Sequence, residues 1–362
     1  MEVVVVVFEV VVFETEGSKN DEDFEKMVLV VVVDMKKKKV KKVVVEVVVM
    51  IMVEKAVVTG EDQREFEVPF LVSDTIEAYK EFGDVVSFDT TYLTNKYNMP
   101  FALFVGVNHH GQSILLGCGL LSDERGETFV WLFNDWLKCM AGCPPRAVIT
   151  DQAKAMQNTI RIGFPAARHR WCIWHVMSKV PEKFGMYSKR EKIIFTLQEL
   201  IYDTQTPAEF ETRWQKMLQK YSLGTNKWLS DLYDEKERWI PCFLNDTFWA
   251  GMSSTQRSEG MNAFFDSFLL PKTSLKQFVE QFEQALMKKV EKELVADAES
   301  VKYIKTFTKN PFEEQLQQLY TNDKYMEFSN EIKESVSCNI LSVDNSHEIS
   351  EYVIREDIWV TD

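Results

Sequence analysis

Residues 82–121 read FGDVVSFDTTYLTNKYNMPFALFVGVNHHGQSILLGCGLL, and this stretch decides the fold. It contains three apolar runs, at residues 84–93, 101–108 and 113–121, that are rich in the β-branched and aromatic residues favoured in strands. The connection at His110–Gly111 predicts a hairpin turn between the second run and the third. We therefore expect three consecutive strands that pair antiparallel.

The sequence after the hairpin predicts helices and strands in alternation. Residues 128–140 repeat apolar residues at helical spacing, and residues 147–150 form a short apolar run that ends at Asp151. A second helix at 152–162 and a further strand at 168–174 follow. Three antiparallel strands followed by this alternation predict an α/β fold with a mixed sheet and helices on its faces.

The composition is that of a globular protein, with 45% hydrophobic and 27% charged residues, which excludes disorder throughout the chain. Six cysteines without a C-x-x-C pair argue against a disulfide scaffold and favour a reducing compartment. The longest uncharged apolar runs near the start, residues 27–33 and 47–53, are far shorter than the roughly 20 residues that a membrane helix needs. We therefore expect a soluble, intracellular chain without a membrane partner.

Three carboxylates break the pattern of their segments. Asp89 interrupts an apolar strand, Asp151 follows the strand at 147–150, and Glu259 lies near the start of a predicted helix. Neighbouring strands and a packed helix can bring them to one point, where a divalent cation such as Mg²⁺ relieves their repulsion. Each also has a structural explanation when taken singly, since Asp151 can cap the next helix and Glu259 can interact with a helix dipole.

A second group of residues has the spacing of metal ligands. His169, Cys172 and His175 form an H-x-x-C-x-x-H pattern, which supplies three zinc ligands. A structural zinc site needs four ligands, and no obvious fourth lies nearby in the sequence. The alternative is a packing role beside the acidic residues, with Trp171 and Trp174 filling the core.

The net negative charge of the chain argues against a nucleic-acid-binding surface that extends over the whole protein. The sequence has 42 Lys and Arg against 56 Asp and Glu, a net charge of −14. Residues 151–192 are nevertheless basic, since nine Lys and Arg against three Asp and Glu give +6. The alternative to phosphate binding is a solvated helical face. The basic side chains predicted to contact phosphates are Arg161, Arg168, Arg170, Lys179 and Arg257.

Five stretches of this sequence resemble one known family. They are FGDVVSFDTTYLTNKYNMPFALFVGVNHHGQ, LLGCGLLSDERGETFVWLFNDWLKCM, PPRAVITDQAKAM, FPAARHRWCIWHVM and STQRSEGMNAFF. They cover residues 82–175 and 253–265, and they resemble the transposase domain of Mutator-like elements (MULE). The resemblance is strongest to the plant far-red-impaired-response family of transcription regulators, which derive from such transposases.

The resemblance implies an RNase H-like fold with a large helical insertion before the last acidic residue. It also implies that Asp89 in FDTTY, Asp151 in TDQ and Glu259 in RSE form an acidic catalytic triad that binds Mg²⁺ or Mn²⁺. Cys172 and His175 correspond to the C-x-x-H that follows the second aspartate in such transposases. No counterpart is seen to the zinc-finger-like domain before the family's transposase domain or to the SWIM-type zinc finger after it, so zinc is only a weak expectation.

On this interpretation the chain has five segments. Twenty-three of the first 58 residues are valine, a bias that favours strands yet is unusual in natural folds, so an artificial origin is one interpretation. The segments are a Val-rich β segment (1–58), the first part of the RNase H-like core (59–180), a helical insertion (181–252), helices that complete the core and carry Glu259 (253–325), and a tail that ends before any SWIM-type zinc finger (326–362).

Three functions remain open at this point. The first, implied by the family, is a nuclear, DNA-associated transcription regulator of plant light signalling that forms homo- or heterodimers. The second is an active DDE-type transposase or recombinase, in which the triad holds two metal ions for DNA strand cleavage and transfer. The third is an engineered RNase H-like scaffold without activity. The intact triad leaves the question of enzyme activity open, and the resemblance to the light-signalling branch favours the regulator.

Overall fold

The computed structural model describes residues 29–30, 50–51, 68–70, 73–91, 99–269, 272, 275–308, 310–344 and 351–356. Of the predicted Val-rich β segment at 1–58, these include only β1 (Leu29–Val30) and β2 (Met50–Ile51), which pair antiparallel. The rest of that prediction lies outside the described residues. The chain divides into two compact units, residues 1–107 with 113–287 and residues 108–112 with 288–362.

The main sheet lies in the first unit. Its strand order is β3-β6-β5-β4-β7-β8. The pairs β3–β6, β6–β5 and β5–β4 are antiparallel, whereas β4, β7 and β8 run parallel. The predicted α/β class with a mixed sheet is confirmed. The strands are β3 (Val68–Phe70), β4 (Val85–Thr91), β5 (Phe101–Val107), β6 (Ser113–Leu120), β7 (Ala147–Thr150) and β8 (Arg168–Trp171).

One helix lies between β3 and β4, helices alternate with the strands from β6 to β8, and further helices then follow one another. Among the described residues, no helix is both long enough and apolar enough to span a membrane. Short 3₁₀ turns occur at Lys236–Arg238 and Pro241–Phe243. The helices are α1 (Ser73–Phe82), α2 (Gly126–Cys139), α3 (Lys154–Gly163), α4 (Ile173–Ser178), α5 (Val180–Lys183), α6 (Arg190–Tyr202), α7 (Pro207–Tyr221), α8 (Lys227–Asp234), α9 (Gln256–Asp266) and α10 (Leu275–Ser300).

Both faces of the sheet carry a core, because side chains alternate along β5. On one face, Phe101 packs against Phe265 of α9 and Phe282 of α10, with ring centroids 5.7 and 6.0 Å apart. On the other face, Phe104 stacks on Trp136 of α2, with centroids 4.4 Å apart and ring planes 2° from parallel. All five side chains are buried. Helices therefore cover both faces of the sheet around β5.

Helices α4 to α8 pack around an apolar cluster of their own. Its fully buried side chains include the large rings of Phe210, Trp214 and Trp239. Thr206 caps α7, since its hydroxyl accepts a hydrogen bond from the N–H of Glu209 at 3.3 Å. The helices that connect β8 with α9 are therefore stabilised by a core separate from the two on the sheet.

The second unit contains the turn Asn108–Gln112, the end of α10, α11 (Pro311–Leu319), α12 (Asn322–Ser335), and the antiparallel strands β9 (Cys338–Asp344) and β10 (Glu351–Glu356). Glu313 of α11 is fully buried there. Its carboxylate accepts hydrogen bonds from the N–H of Phe307 at 2.7 Å, the hydroxyl of Thr308 at 2.6 Å and the hydroxyl of Tyr325 at 2.8 Å. The last of these bonds ties α11 to α12.

Gly117 in β6 makes room for the indole ring of Trp136. Its φ is 150°, and a Cβ at this position would lie 2.5 Å from both Cδ1 and Nε1 of Trp136. The indole N–H donates to the carbonyl of Leu116 at 2.7 Å, so the ring cannot move away without losing a buried hydrogen bond. Both the backbone conformation and the space at position 117 therefore require glycine.

We expect Gly117→Ala to lower the free energy of unfolding by about 2 to 4 kcal/mol, because overpacking against Trp136 adds to backbone strain. Gly142→Ala is the matched control, since Gly142 has φ 74° but no atom within 4 Å of its added Cβ. That variant should lose only about 1 kcal/mol, from strain alone. Urea denaturation measures both values, and equal losses would contradict the proposed clash.

Candidate functional site

The carboxyl ends of three parallel strands place Asp89, Asp151 and Cys172 next to one another. Ser87 of β4 pairs with Ile149 of β7, so Asp89 and Asp151, each two residues further on, lie at the same level of neighbouring strands. The N–H of Cys172 donates to the carbonyl of Thr150 at 2.7 Å, which continues the β7–β8 pairing to that level. The predicted convergence of two aspartates thus follows directly from strand register.

Helix α9 brings Glu259 to this row of residues. The hydroxyls of Ser258 and Ser87 are hydrogen-bonded at 2.7 Å, and both serines are fully buried between α9 and β4. Met261 and Phe265 on the same helix are also fully buried. These contacts fix the rotation of α9, and they set Glu259 in its first turn beside the sheet.

Asp89 is the electrostatic centre of the site. Burial, with the neighbouring carboxylates of Glu259 and Asp151 adding to its effect, raises the pKa of Asp89 from 3.8 to about 7. A hydrogen bond from the N–H of Thr90 and the charge of His175 act in the opposite direction without overcoming them. The three acidic residues therefore share one electrostatic environment, in which the carboxyl of Asp89 is protonated in part of the molecules near neutral pH.

The three carboxylates form an open cluster. In the part of the chain that is described, their oxygens do not all lie within 4.8 Å of one another. A divalent cation between them would compensate the repulsion that raises the pKa of Asp89, and it would displace the proton on Asp89 when it binds. The arrangement thus fits oxygen-ligated cations such as Mg²⁺ or Mn²⁺ in the chemistry of its ligands.

Cys172 and His175 connect β8 to Glu259. The N–H of Thr255 donates to Sγ of Cys172 at 3.2 Å, and Nδ1 of His175 lies 3.4 Å from the hydroxyl of Thr255. Nε2 of His175 lies 4.0 Å from Oε1 of Glu259. Burial would raise the pKa of Cys172, but hydrogen bonds from His175 and Thr255 outweigh it and lower the pKa. The bond to Cys172 raises the pKa of His175, which burial opposes.

The third member of the predicted H-x-x-C-x-x-H pattern, His169, does not join this group. Its Nε2 lies 2.8 Å from the hydroxyl of Thr150, and its Nδ1 lies 3.5 Å from Nη1 of Arg238. Burial, with the positive charge of Arg238 adding to it, lowers the pKa of His169 to about 4. Only Cys172 and His175 of the three predicted zinc ligands therefore face the acidic cluster.

The two tryptophans of this segment have different environments. Trp171 is buried as predicted, but Trp174 is 56% exposed, so the expectation that it fills the core is wrong. Trp174 begins the first turn of α4, where side chains on the outer side of a short helix reach solvent. Its ring meets the ring of His175 edge to face, with centroids 5.0 Å apart. An exposed indole therefore borders the acidic site.

Two of the five predicted phosphate-binding residues lie next to the acidic cluster. Lys179 is exposed, and its ammonium donates to the side-chain oxygen of Gln152, the neighbour of Asp151, at 2.8 Å. Arg257 is half-buried and stands two residues before Glu259 in the first turn of α9. Lys179 therefore places positive charge near Asp151, and Arg257 lies in the same helical turn as Glu259.

Arg170 is not placed to contact a phosphate. It is 5% exposed, its Nη1 donates to the carbonyl of Met252 at 3.3 Å, and its guanidinium lies 5.3 Å from the ring centre of Trp249. Burial lowers the pKa of Arg170 to about 10. The prediction that this arginine contacts phosphates is wrong, because β8 is covered by the segment that precedes α9.

The remaining predicted basic residues, Arg161 and Arg168, line a different cavity, of about 550 Å³. Asp234, Glu237 and Arg238 also line it, so positive and negative side chains alternate there. One Nη of Arg168 donates to the carbonyl of Glu237 at 3.4 Å. This mixed lining is less suited to a phosphate backbone than the surroundings of Lys179.

Asn262 and Thr255 also contact the acidic residues, although no sequence motif singled them out. The side-chain N–H of Asn262 donates to Oδ2 of Asp89 at 3.4 Å, and the hydroxyl of Thr255 donates to Oε1 of Glu259 at 3.4 Å. Both residues lie about one helical turn from Glu259, Thr255 at i−4 and Asn262 at i+3. That spacing is the signal that would have identified them.

Comparisons with known proteins agree with the geometry. Residues 85–179 match the family model of the MULE transposase domain. This range contains Asp89, Asp151, Cys172, His175 and Lys179. The chain therefore contains a MULE transposase domain, as the sequence motifs predict.

The relatives of the chain are plant proteins. It is 39% identical over 286 residues to Protein FAR-RED IMPAIRED RESPONSE 1 of Arabidopsis thaliana, an alignment that covers 78% of this chain and 35% of that protein. It is 36% identical over 303 residues to Protein FAR1-RELATED SEQUENCE 5 of the same organism, covering 83% of this chain and 38% of that protein. The chain is thus similar to the far-red-impaired-response proteins, and it spans little more than a third of the length of these two relatives.

Asp89→Asn should stabilise the chain more at about pH 8 than at about pH 5. The pKa of Asp89 is 3.8 in the unfolded chain and about 7 in the folded chain. The protonated carboxyl therefore contributes fully to stability below pH 3.8, and this contribution is lost as the pH rises through about 7. Asparagine removes the cost of a buried charge at the higher pH. Urea denaturation in EDTA at both pH values measures the difference.

Asp84→Asn is the control for this experiment, because Asp84 is an exposed aspartate immediately before the same strand. Its effect on stability should differ much less between the two pH values. If both variants respond to pH equally, the raised pKa of Asp89 is contradicted.

Proposed function

We propose that this chain is the transposase-derived core of a nuclear, DNA-associated regulator of the plant response to far-red light. The observation that carries the proposal is its 39% identity, over 78% of its length, to a protein named for the far-red response. The MULE transposase domain at residues 85–179 supports an origin in a DNA-processing fold. In the proposal, the core contacts DNA and holds its partners, a second copy or a related chain.

The proposal includes an RNase H-like architecture for the core. Its support is the sheet itself, in which the central strand β4 has antiparallel neighbours on one side and parallel neighbours on the other. This arrangement sets Asp89 on β4 and Asp151 after the adjacent β7, while Glu259 comes from a helix packed on the same sheet. The three residues together are the proposed DDE-type triad.

The proposed DNA-contacting surface lies around this triad. Lys179 is exposed beside Gln152, the neighbour of Asp151, Arg257 lies in the same turn of α9 as Glu259, and Trp174 exposes its indole next to His175. Basic side chains can bind phosphates, and an exposed indole can stack on an unpaired base. The surface offers these contacts despite the net charge of −14, because its positive residues are local.

We expect the double variant Lys179→Gln, Arg257→Gln to reduce the salt dependence of DNA binding. Each lost phosphate contact lowers the slope of log K against log salt by about 0.9, so the slope should fall by about 2. Electrophoretic mobility shift at several salt concentrations, with one non-specific duplex, measures it.

Arg161→Gln is the matched control for that measurement, since Arg161 is exposed but lines the cavity of mixed charge. For Arg161→Gln, the slope of log K against log salt should equal that of the parent chain. If the slope falls with Arg161→Gln and stays constant in the double variant, DNA contacts the cavity of mixed charge and not the surface around the triad.

A second function is favoured by one observation, the raised pKa of Asp89 among two further carboxylates. In this alternative, Asp89, Asp151 and Glu259 hold two divalent cations for DNA strand cleavage and transfer. Bound cations would activate a water or a 3′-hydroxyl and stabilise the leaving oxygen. The chain's own contribution is to position three ligands, with Asn262 and His175 orienting the carboxylates of Asp89 and Glu259.

We expect millimolar Mn²⁺ to raise the melting temperature of the parent chain and to have no effect on Asp151→Asn, because a cation that binds only the folded site stabilises it. Asp231→Asn, which removes an exposed aspartate from α8, is the control and should keep the rise. The absence of any rise would mean that the cluster does not bind metal and acts as a scaffold. Nicking of DNA that needs both Mn²⁺ and Asp151 would favour the recombinase over the regulator.

A further inference from the structure

Two consecutive histidines, His109 and His110, occupy the turn that the second unit contributes between β5 and β6. Asn108 holds this turn, since its side-chain oxygen accepts the N–H of His110 at 3.1 Å and the N–H of Gln112 at 2.9 Å. Gly111, with φ 74°, donates its N–H to the carbonyl of Asn108 at 2.9 Å. The turn is therefore closely held, with the two imidazole centroids 4.2 Å apart.

Both imidazoles meet one carboxylate, that of Asp297 in α10. Nε2 of His109 lies 3.1 Å from its Oδ1, and Nε2 of His110 lies 2.8 Å from the same oxygen. Within the described ranges, this is the one group of three metal-ligating side chains whose ligand atoms all lie within 4.8 Å of one another. Tetrahedral zinc, with bonds of about 2.0 to 2.1 Å, holds its ligand atoms about 3.3 Å apart. The observed separations are close to that spacing.

The second ring nitrogen of His110 has the surroundings typical of a metal-bound histidine. The side chain is 0% exposed, and its Nδ1 has no hydrogen-bond partner. Oδ2 of Asp323, in the first turn of α12, lies 3.9 Å from this nitrogen. Metal-bound imidazoles usually donate their other N–H to a carboxylate. A cation on Nε2 would leave the proton on Nδ1, where it faces Asp323.

The charge and the exposure of the group also suit a cation. Asp297 supplies one carboxylate oxygen between the two imidazole nitrogens. His109 and Asp297 are 44% and 50% exposed, which leaves room for an ion to enter and for water to take a fourth position. Two imidazoles and one carboxylate suit Zn²⁺ better than Mg²⁺.

We propose that His109, His110 and Asp297 bind a zinc ion, with Asp323 orienting His110 through its second ring nitrogen. The ion would join the turn after β5 to α10, and through Asp323 to α12, all within the second unit. This site is separate from Cys172 and His175, and it has no role in the proposed contacts with DNA. Its function is structural, since it links segments that are far apart in the sequence.

A rival explanation needs no metal. A protonated His110 between Asp297 and Asp323 would make the same contacts as an ion pair on both sides. The two explanations differ in one measurable property, because only a bound ion makes the stability of the chain depend on zinc concentration.

The test uses the untagged 362-residue chain, stripped of metal with EDTA and dialysed, and then melted with and without micromolar ZnCl₂. Zinc should raise the melting temperature of the parent chain, and the rise should be lost in His109→Gln and in Asp297→Asn. Glu293→Gln is the matched control, since Glu293 lies one turn before Asp297 in α10 and accepts from Asn108 at 2.8 Å. It should keep the rise. Asp323→Asn should weaken zinc binding by about 10- to 100-fold.

Three outcomes would overturn the proposal. The first is no rise in the parent chain, and the second is a rise that persists in both His109→Gln and Asp297→Asn. The third is a rise that is lost in Cys172→Ser and kept in Asp297→Asn, which would place zinc at the other candidate site. Co²⁺ gives an independent result, because ligation by His and Asp produces visible d–d bands without the near-ultraviolet band of a cobalt thiolate.

Discussion

The buried hydrogen bond between Ser87 and Ser258 is the contact on which the geometry of the acidic site depends. It joins the central strand β4 to α9 at 2.7 Å, with neither hydroxyl reaching solvent. Loss of one partner would leave the other buried and unsatisfied, at a cost of about 1 to 3 kcal/mol. Because the bond fixes both the depth and the rotation of α9, it also sets the positions of Glu259 and Asn262, which lie one and four residues beyond Ser258.

Strand register explains the aspartates, and it shows why one site could be inferred from the sequence. An apolar strand interrupted by Asp89 and a short strand that ends at Asp151 are local patterns, and parallel pairing of β4 with β7 brings them to the same level. The order of strands and helices in residues 84–174 is equally local, since each element follows from its own periodicity. The match of residues 85–179 to the MULE transposase domain covers this same part of the chain.

Contacts between segments that are distant in the sequence could not be predicted from local patterns. The sequence pattern predicts that Arg170 is a surface charge. In the structure it donates to the carbonyl of Met252, 82 residues away, because the segment before α9 covers β8. The sequence pattern predicts that Trp174 is buried in the core, but on the short helix α4 its side chain is exposed to solvent. The H-x-x-C-x-x-H spacing does not bring His169 to Cys172 and His175 for a related reason, since Thr150 and Arg238 contact His169 from other elements. Burial and partner choice depend on tertiary packing, which no local pattern encodes.

The three acidic residues of the proposed triad are compatible with either proposed function, and the physical reason lies in Asp89. Three neighbouring carboxylates are tolerated in two ways, by a bound cation or by a proton on one of them. A pKa of about 7 makes the proton available near neutral pH, so the fold does not need metal to keep its acidic residues. In the proposed function, cation binding and DNA binding would be coupled at this site, because unscreened carboxylates repel phosphates whereas occupied ones attract them. A regulator that binds DNA around this triad would thus retain its acidic residues as a switch for affinity, even where strand cleavage is lost.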